Sequence, residues 1–114
     1  MIYLASPYSH PDRTIEQLRY KAAARVTAKL ITQGQIVYSP IVHSHVLATE
    51  YGVPNTHEIW MPHCLAMLER ADNLFVLMLD GWEQSKGVRE ELAWWTKHRS
   101  MRARKWLKIE ELAA

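Results

Sequence analysis

The chain has 114 residues, 48% of them hydrophobic and 23% charged, with a formal net charge of +2. That length sets the expectation of one domain over 1–114, and the composition excludes a disordered chain. So small a net charge gives no ground for a nucleic-acid partner, and no apolar run approaches the ~18 residues of a membrane span.

Ile2 to Ala5 is a short apolar run ended by Ser6-Pro7 and is expected to be the first strand. It starts at once, without the basic lead and long apolar segment of a secretory signal. Asp12 to Gln33 reads as a helix, because Ile15, Leu18, Ala22, Val26 and Leu30 recur at three- and four-residue steps and Gly34 supplies a stop. Gln35 to Ser39 is expected to be the second strand, closed by Pro40. Ile41 to Asn55 holds His43, His45, Tyr51-Gly52 and Pro54, and reads as a long loop with a helical turn at Val46 to Glu50. Thr56 to Arg70 reads as a second helix with Trp60, Leu65 and Leu68 inward, and Pro62 is tolerated there only near the first turns. Asn73 to Leu79 is continuously apolar, as a central parallel strand should be. Ser85 to Arg99 is the third expected helix, and Lys105 to Ile109 the fourth strand. Strands alternating with helices predict an α/β fold. It is a small doubly wound, flavodoxin- or Rossmann-like parallel sheet of about four strands in the order 2-1-3-4, with its crevice between the first and third. A single cysteine, Cys64, excludes an internal disulfide and fits a reducing cytoplasm.

The third helix carries the most informative carboxylate. At about 100° per residue, Val88, Leu92 and Trp95 share an apolar face, and Glu91 lies on its edge beside Trp95 and His98. Glu90 falls on the other side with Lys86 and Lys97, where a solvent-side Lys86–Glu90 pair is the ordinary expectation. A carboxylate against apolar surface is costly unless it is hydrogen-bonded or has a chemical role, so Glu91 is the unusual one.

A parallel sheet brings three loops to its carboxyl edge: Ser6-Pro7-Tyr8-Ser9-His10, the segment from Ser39 to His45, and the segment from Asp80 to Ser85. The start of the Ser85 helix offers free backbone N–H groups to an anion, and Ser85 either caps that helix or binds a phosphate oxygen. Tyr3, Tyr8 and Trp82 are candidates to stack on a planar base, against the ordinary alternative of packing. His43 and His45, with His57 and the His63-Cys64 pair, match no strong zinc pattern, so no metal is expected; a hydrogen bond to a ligand or closure of the loop suits them better. The basic stretch from Lys97 to Lys105 reads as a solvated helix end, since no aromatic residue is interleaved before Trp106.

These residues together resemble the nucleoside 2-deoxyribosyltransferase superfamily, and within it the small DUF1937-type branch, with nucleotide 5′-monophosphate N-glycosidases among the relatives. The resemblance runs through Ile2-Tyr3-Leu4-Ala5-Ser6-Pro7-Tyr8, then Tyr38-Ser39-Pro40-Ile41 with His43-Ser44-His45. It ends in Leu77-Met78-Leu79-Asp80-Gly81-Trp82, leading to Ser85, Gly87-Val88 and Glu91-Leu92. It implies that Glu91, four residues after Gly87, is a nucleophile attacking the anomeric carbon, and that water or a second base resolves the glycosyl ester. It further implies no cofactor. Ser85, where transferases of free nucleosides tend to carry an aspartate, implies a nucleotide substrate, with Ser6 and the backbone of residues 6 to 9 completing a phosphate cradle. The superfamily's usual aspartate is replaced here by Cys64, so His45, His63 or Asp80 is left to supply an acid, or the chemistry differs.

The leading expectation is therefore an enzyme cleaving the base–sugar bond of a small-molecule nucleotide. The alternatives are a nucleotide-binding or sensing module without chemistry, favoured by Cys64, and a glycosidase of NAD, for which a 114-residue chain leaves a small pocket. Apolar surface left by Trp60, Trp94, Trp95 and Trp106, with Trp94 off its helix's apolar face, and the dimeric habit of the relatives, lead to a homodimer as the expected assembly.

Overall fold

The computed structural model describes residues 1–99 and 103–108. Four strands, β1 (Ile2–Ala5), β2 (Val37–Tyr38), β3 (Asn73–Leu77) and β4 (Arg104–Leu107), form one sheet in the expected order β2-β1-β3-β4, with every pairing parallel. In register, Tyr3 lies between Tyr38 of β2 and Leu74 of β3. Four helices connect and flank the strands: α1 (Arg13–Thr32), α2 (Pro40–Thr49), α3 (His57–Arg70) and α4 (Lys86–His98). None of the described helices is long and apolar enough to cross a membrane.

Alternation along the strands divides the core in two. Tyr3, Ala5, Leu74 and Val76 pack with Cys64 and Leu68 of α3 and with Val88 and Trp95 of α4. Leu4 and Leu77 turn the other way, onto Ala22, Val26 and Leu30 of α1. Helices thus cover both faces, and the sheet is doubly wound. Trp95 is 1% exposed; truncating a side chain so placed to alanine costs about 3–5 kcal/mol.

Local chemistry sets the ends of α1. The Asp12 carboxylate accepts from the Thr14 N–H at 2.8 Å, and the chain leaves the helix through Gly34 at φ +90°, which a side chain would resist. A second left-handed glycine, Gly81 at φ +85°, turns the chain from β3 toward the 3₁₀ turn Trp82–Gln84 and the start of α4. A Cβ there would meet Arg19 Nη2 at 2.8 Å. That guanidinium donates to the carbonyls of Ser9 and Asp80, both at 3.0 Å, and so ties together the loops after β1 and β3.

Several expectations need correction. The segment read as a long loop begins with a ten-residue helix, α2. Ser39 and Pro40 look like a strand stop, but they are a helix start. The Ser39 hydroxyl caps the Val42 N–H at 3.2 Å, and Pro40 takes a first-turn position where its missing N–H costs nothing. Strand β3 ends at Leu77, two residues early, where Leu79 turns back to bond the Leu77 carbonyl. Strand β4 begins at Arg104, and Ile109, its expected end, lies outside the described residues. Glu90 pairs with His57 of α3, not Lys86, because α3 packs beside α4. Trp94, expected to stand free, is half-buried against the α3–α4 core and stacks on His98 with ring centroids 4.5 Å apart.

Candidate active site

Helix α4 begins where the Ser85 hydroxyl accepts from the Val88 N–H at 3.3 Å. The next turn brings Glu91 round to the sheet with Val88 and Trp95, and the carboxyl-bearing residue is only 4% exposed. Its contact is fixed by strand alternation: Tyr3, on the same face of β1, donates its hydroxyl to Glu91 Oε2. Cys64 arrives from α3 and interacts with both groups.

The electrostatics follow from burial. Desolvation pushes the Glu91 carboxyl up to about 8; the Tyr3 hydrogen bond opposes the rise and Glu90 adds to it. Burial and then Glu91 push the Cys64 thiol up to about 11. Tyr3 is raised well above the ordinary phenol range by burial and by Glu91 and Cys64. At neutral pH these three neighbouring acids are therefore mainly protonated.

Glu91 opens into a cavity of about 370 Å³. Cavities that take small organic ligands start at about 300 Å³, so this one suits a mononucleotide better than a dinucleotide. Six of the residues singled out from the sequence line it: Ser6, Tyr8, Ser9, Ser85, Gly87 and Glu91. Ser6 Oγ is buried there without a hydrogen-bond partner among the described residues, an unmet need that a ligand oxygen could satisfy. Tyr3 does not line the cavity and acts on it through Glu91.

The other expected residues stand elsewhere. Pro7 is fully buried in the turn after β1. Asp80 is exposed, and its backbone carbonyl accepts from Arg19. His45 is buried outside the lining, where burial lowers its pKa. Its Nε2 donates to Gln17 Oε1 at 2.9 Å, so its Nδ1 accepts from the Tyr8 hydroxyl at 2.6 Å, while Tyr20 stacks on the ring. His45 thus orients a wall residue without touching the cavity. His43 is exposed, with its ring against Tyr38 and Trp60, and Trp82 packs edge-on to Trp106.

Sequence reasoning placed the Tyr38–Ile41 segment near the site but missed the part of the wall that α3 supplies. Tyr38 from the end of β2, Pro40 and Ile41 from α2, and Trp60 and Met61 from α3 form the wall's apolar part. The signal was present in α3, where Trp60, Met61 and Cys64 share one helical face, but core packing explained the pattern equally well. Asn55, Gln84 and Lys86 add polar groups, and His57 lines the cavity with its Nε2 paired to Glu90. Among the described residues that line the cavity, Glu91 is the only carboxylate. Also among the described residues, no group of three or more His, Cys, Asp or Glu side chains could hold a metal ion.

A search among curated proteins finds no match. The family model described as a domain of unknown function, DUF1937, matches residues 1–104. With a match over nearly the whole sequence, the chain belongs to the DUF1937 family.

Proposed function

We propose that the protein is an N-glycosidase, or a deoxyribosyl-transferring enzyme, of the nucleoside 2-deoxyribosyltransferase superfamily. Its substrate is a nucleoside 5′-monophosphate and its nucleophile is Glu91. One observation carries the proposal: a single buried carboxyl, held by a tyrosine hydroxyl, at the floor of a mononucleotide-sized cavity.

The residues divide the work by chemistry. The Glu91 carboxylate bonds C1′ as the base departs, giving a glycosyl ester that water or a second base resolves. Tyr3 fixes the carboxyl's position and hydrogen-bonds the oxygen that is not attacking. Ser85, the N–H groups at the start of α4, Lys86 and the unpartnered Ser6 hydroxyl suit the 5′-phosphate. Tyr38 and Trp60 offer the base aromatic faces, a role the sequence assigned to Tyr3, Tyr8 and Trp82. With the carboxyl pushed up to about 8, roughly one molecule in ten is ionised at pH 7, so base release should rise between pH 6 and 8.

A second proposal, a nucleotide sensor without chemistry, is favoured by the position of Cys64, a thiol in place of an acid. Incubation with a panel of nucleotides and chromatography for free base separates the two. Release that disappears in Glu91→Gln supports the enzyme, and full release by that variant contradicts the mechanism. We further propose a cytoplasmic setting and a homodimer; Ile36 at the β2 edge and Trp106 on β4 are exposed apolar side chains available to a partner.

A further inference from the structure

The floor and wall of the cavity together select among nucleotides. Among the described residues, the carboxyl is hydrogen-bonded by Tyr3, Cys64 lies near enough to feel its charge, and no arginine lines the cavity. Lys86 lines it at the first residue of α4, on the side suited to phosphate, and His57 has its Nε2 committed to Glu90. Because β1 separates β2 from β3, the aromatic ring at the end of β2, Tyr38, stands across the sheet edge from the α4 start. Trp60 continues that wall from α3. An aromatic wall attracts positive charge, as does the one carboxyl once it ionises, and aromatic faces hold cations best where water is excluded.

The acids that the sequence offered for the leaving base are out of play. Of the groups considered for an acid, Asp80 is exposed away from the cavity and His45 has both ring nitrogens occupied. His63 does not line the cavity, and Cys64 holds its proton more tightly than an ordinary thiol because it is buried beside Glu91. A neutral base leaves well only if it is protonated as it goes. A base already bearing positive charge needs no such help.

We infer, resting on the glycosidase proposal, that the substrate is a nucleotide with a cationic base, joined to the sugar through a ring that carries a formal positive charge. As Glu91 bonds C1′, the C1′–N bond breaks and its electron pair passes to the ring, which departs as a neutral base with no proton transferred. Water then bonds C1′, the ester oxygen recovers its electron pair as the Glu91 carboxylate, and the surplus proton goes to solvent. One water is consumed and one proton released per turnover. The bound cation also favours the ionised form of Glu91, so the substrate itself generates the nucleophile.

Two pairs of probes test the inference: nicotinamide mononucleotide against its reduced, uncharged form, and N7-methylguanosine 5′-monophosphate against guanosine 5′-monophosphate. Base release is followed by chromatography, and binding by stopped-flow tryptophan fluorescence with wild type and Glu91→Gln. The cationic member should bind about tenfold tighter, with the preference reduced in Glu91→Gln to the part that the aromatic wall supplies, and should release base at least ~100-fold faster than its neutral partner. Release from one cationic probe alone keeps the inference and identifies the ring. Equal binding and equal release within both pairs overturn the inference and leave the glycosidase proposal standing. Release from none of the four, nor from any other nucleoside 5′-monophosphate, removes both.

Discussion

Replacing Glu91 by glutamine removes one ionisation and little else, which makes it the sharpest probe of the buried carboxyl. The folded protein holds the Glu91 proton up to a pH of about 8, against an ordinary value of 4.5. Between those values the folded chain binds more protons than the unfolded chain, so wild-type stability falls as pH rises through the window. Each pH unit inside the window is worth about 1.4 kcal/mol, so going from pH 5 to pH 8 removes on the order of 3 kcal/mol through this group alone. Glutamine keeps the oxygen that accepts from Tyr3 but adds an NH₂ group that needs an acceptor, a pH-independent cost of about 1–2 kcal/mol. The variant should therefore be slightly less stable than wild type at pH 5 and more stable at pH 8, while releasing no base at either. Urea unfolding of both proteins across pH 5 to 8.5 measures this, and subtracting the two curves cancels every other titrating group. A difference that stays flat with pH, or that moves in wild type's favour as pH rises, would refute the reasoning.

Other substitutions examine the site from different sides. Tyr3→Phe removes the bond that holds the Glu91 pKa down, so the rise of base release with pH should shift to more alkaline values, with about 1 kcal/mol lost in stability. An unshifted profile would detach Tyr3 from the carboxyl. Trp60→Leu should weaken nucleotide binding by about 1–3 kcal/mol, the usual worth of one base–aromatic stack, with little change in the turnover rate; unchanged affinity by calorimetry would remove Trp60 from the base's path. Gly81→Ala places a Cβ against Arg19 at a left-handed φ and should cost about 1–3 kcal/mol in thermal or urea unfolding. A silent substitution there would show that the Arg19 tie between the two loops is loose.

The sequence made the sheet legible and the cavity only half so. Continuous apolar runs separated by a helical period leave few arrangements open, and the order β2-β1-β3-β4 follows from short right-handed crossovers. Glu91 could be singled out because a 13-residue helix with an apolar face defines which side chains turn inward. Tyr3 could not be placed, since Ile2 to Ala5 is buried on both faces and its pattern does not say which face the hydroxyl takes. Ser39-Pro40 was ambiguous for a different reason: the same pair that ends a strand also begins a helix, and here the two events coincide. That ambiguity hid α2, although Pro40 and Ile41 do stand at the sheet edge where their segment was expected. Asp80, His43 and Trp82 were placed by their nearness to strand ends in the sequence, but the path of a loop past Gly81 depends on contacts such as Arg19 that no local pattern encodes.

Capture of the covalent intermediate tests the central claim most directly. The protein would be quenched in acid during turnover of a nucleoside 5′-monophosphate, digested with trypsin and analysed by tandem mass spectrometry. A sugar-phosphate ester on Glu91, in the peptide running from Glu90 to Lys97, with Glu90 unmodified, is the predicted result. Base released with no adduct on Glu91, or with the adduct on another side chain, would contradict it.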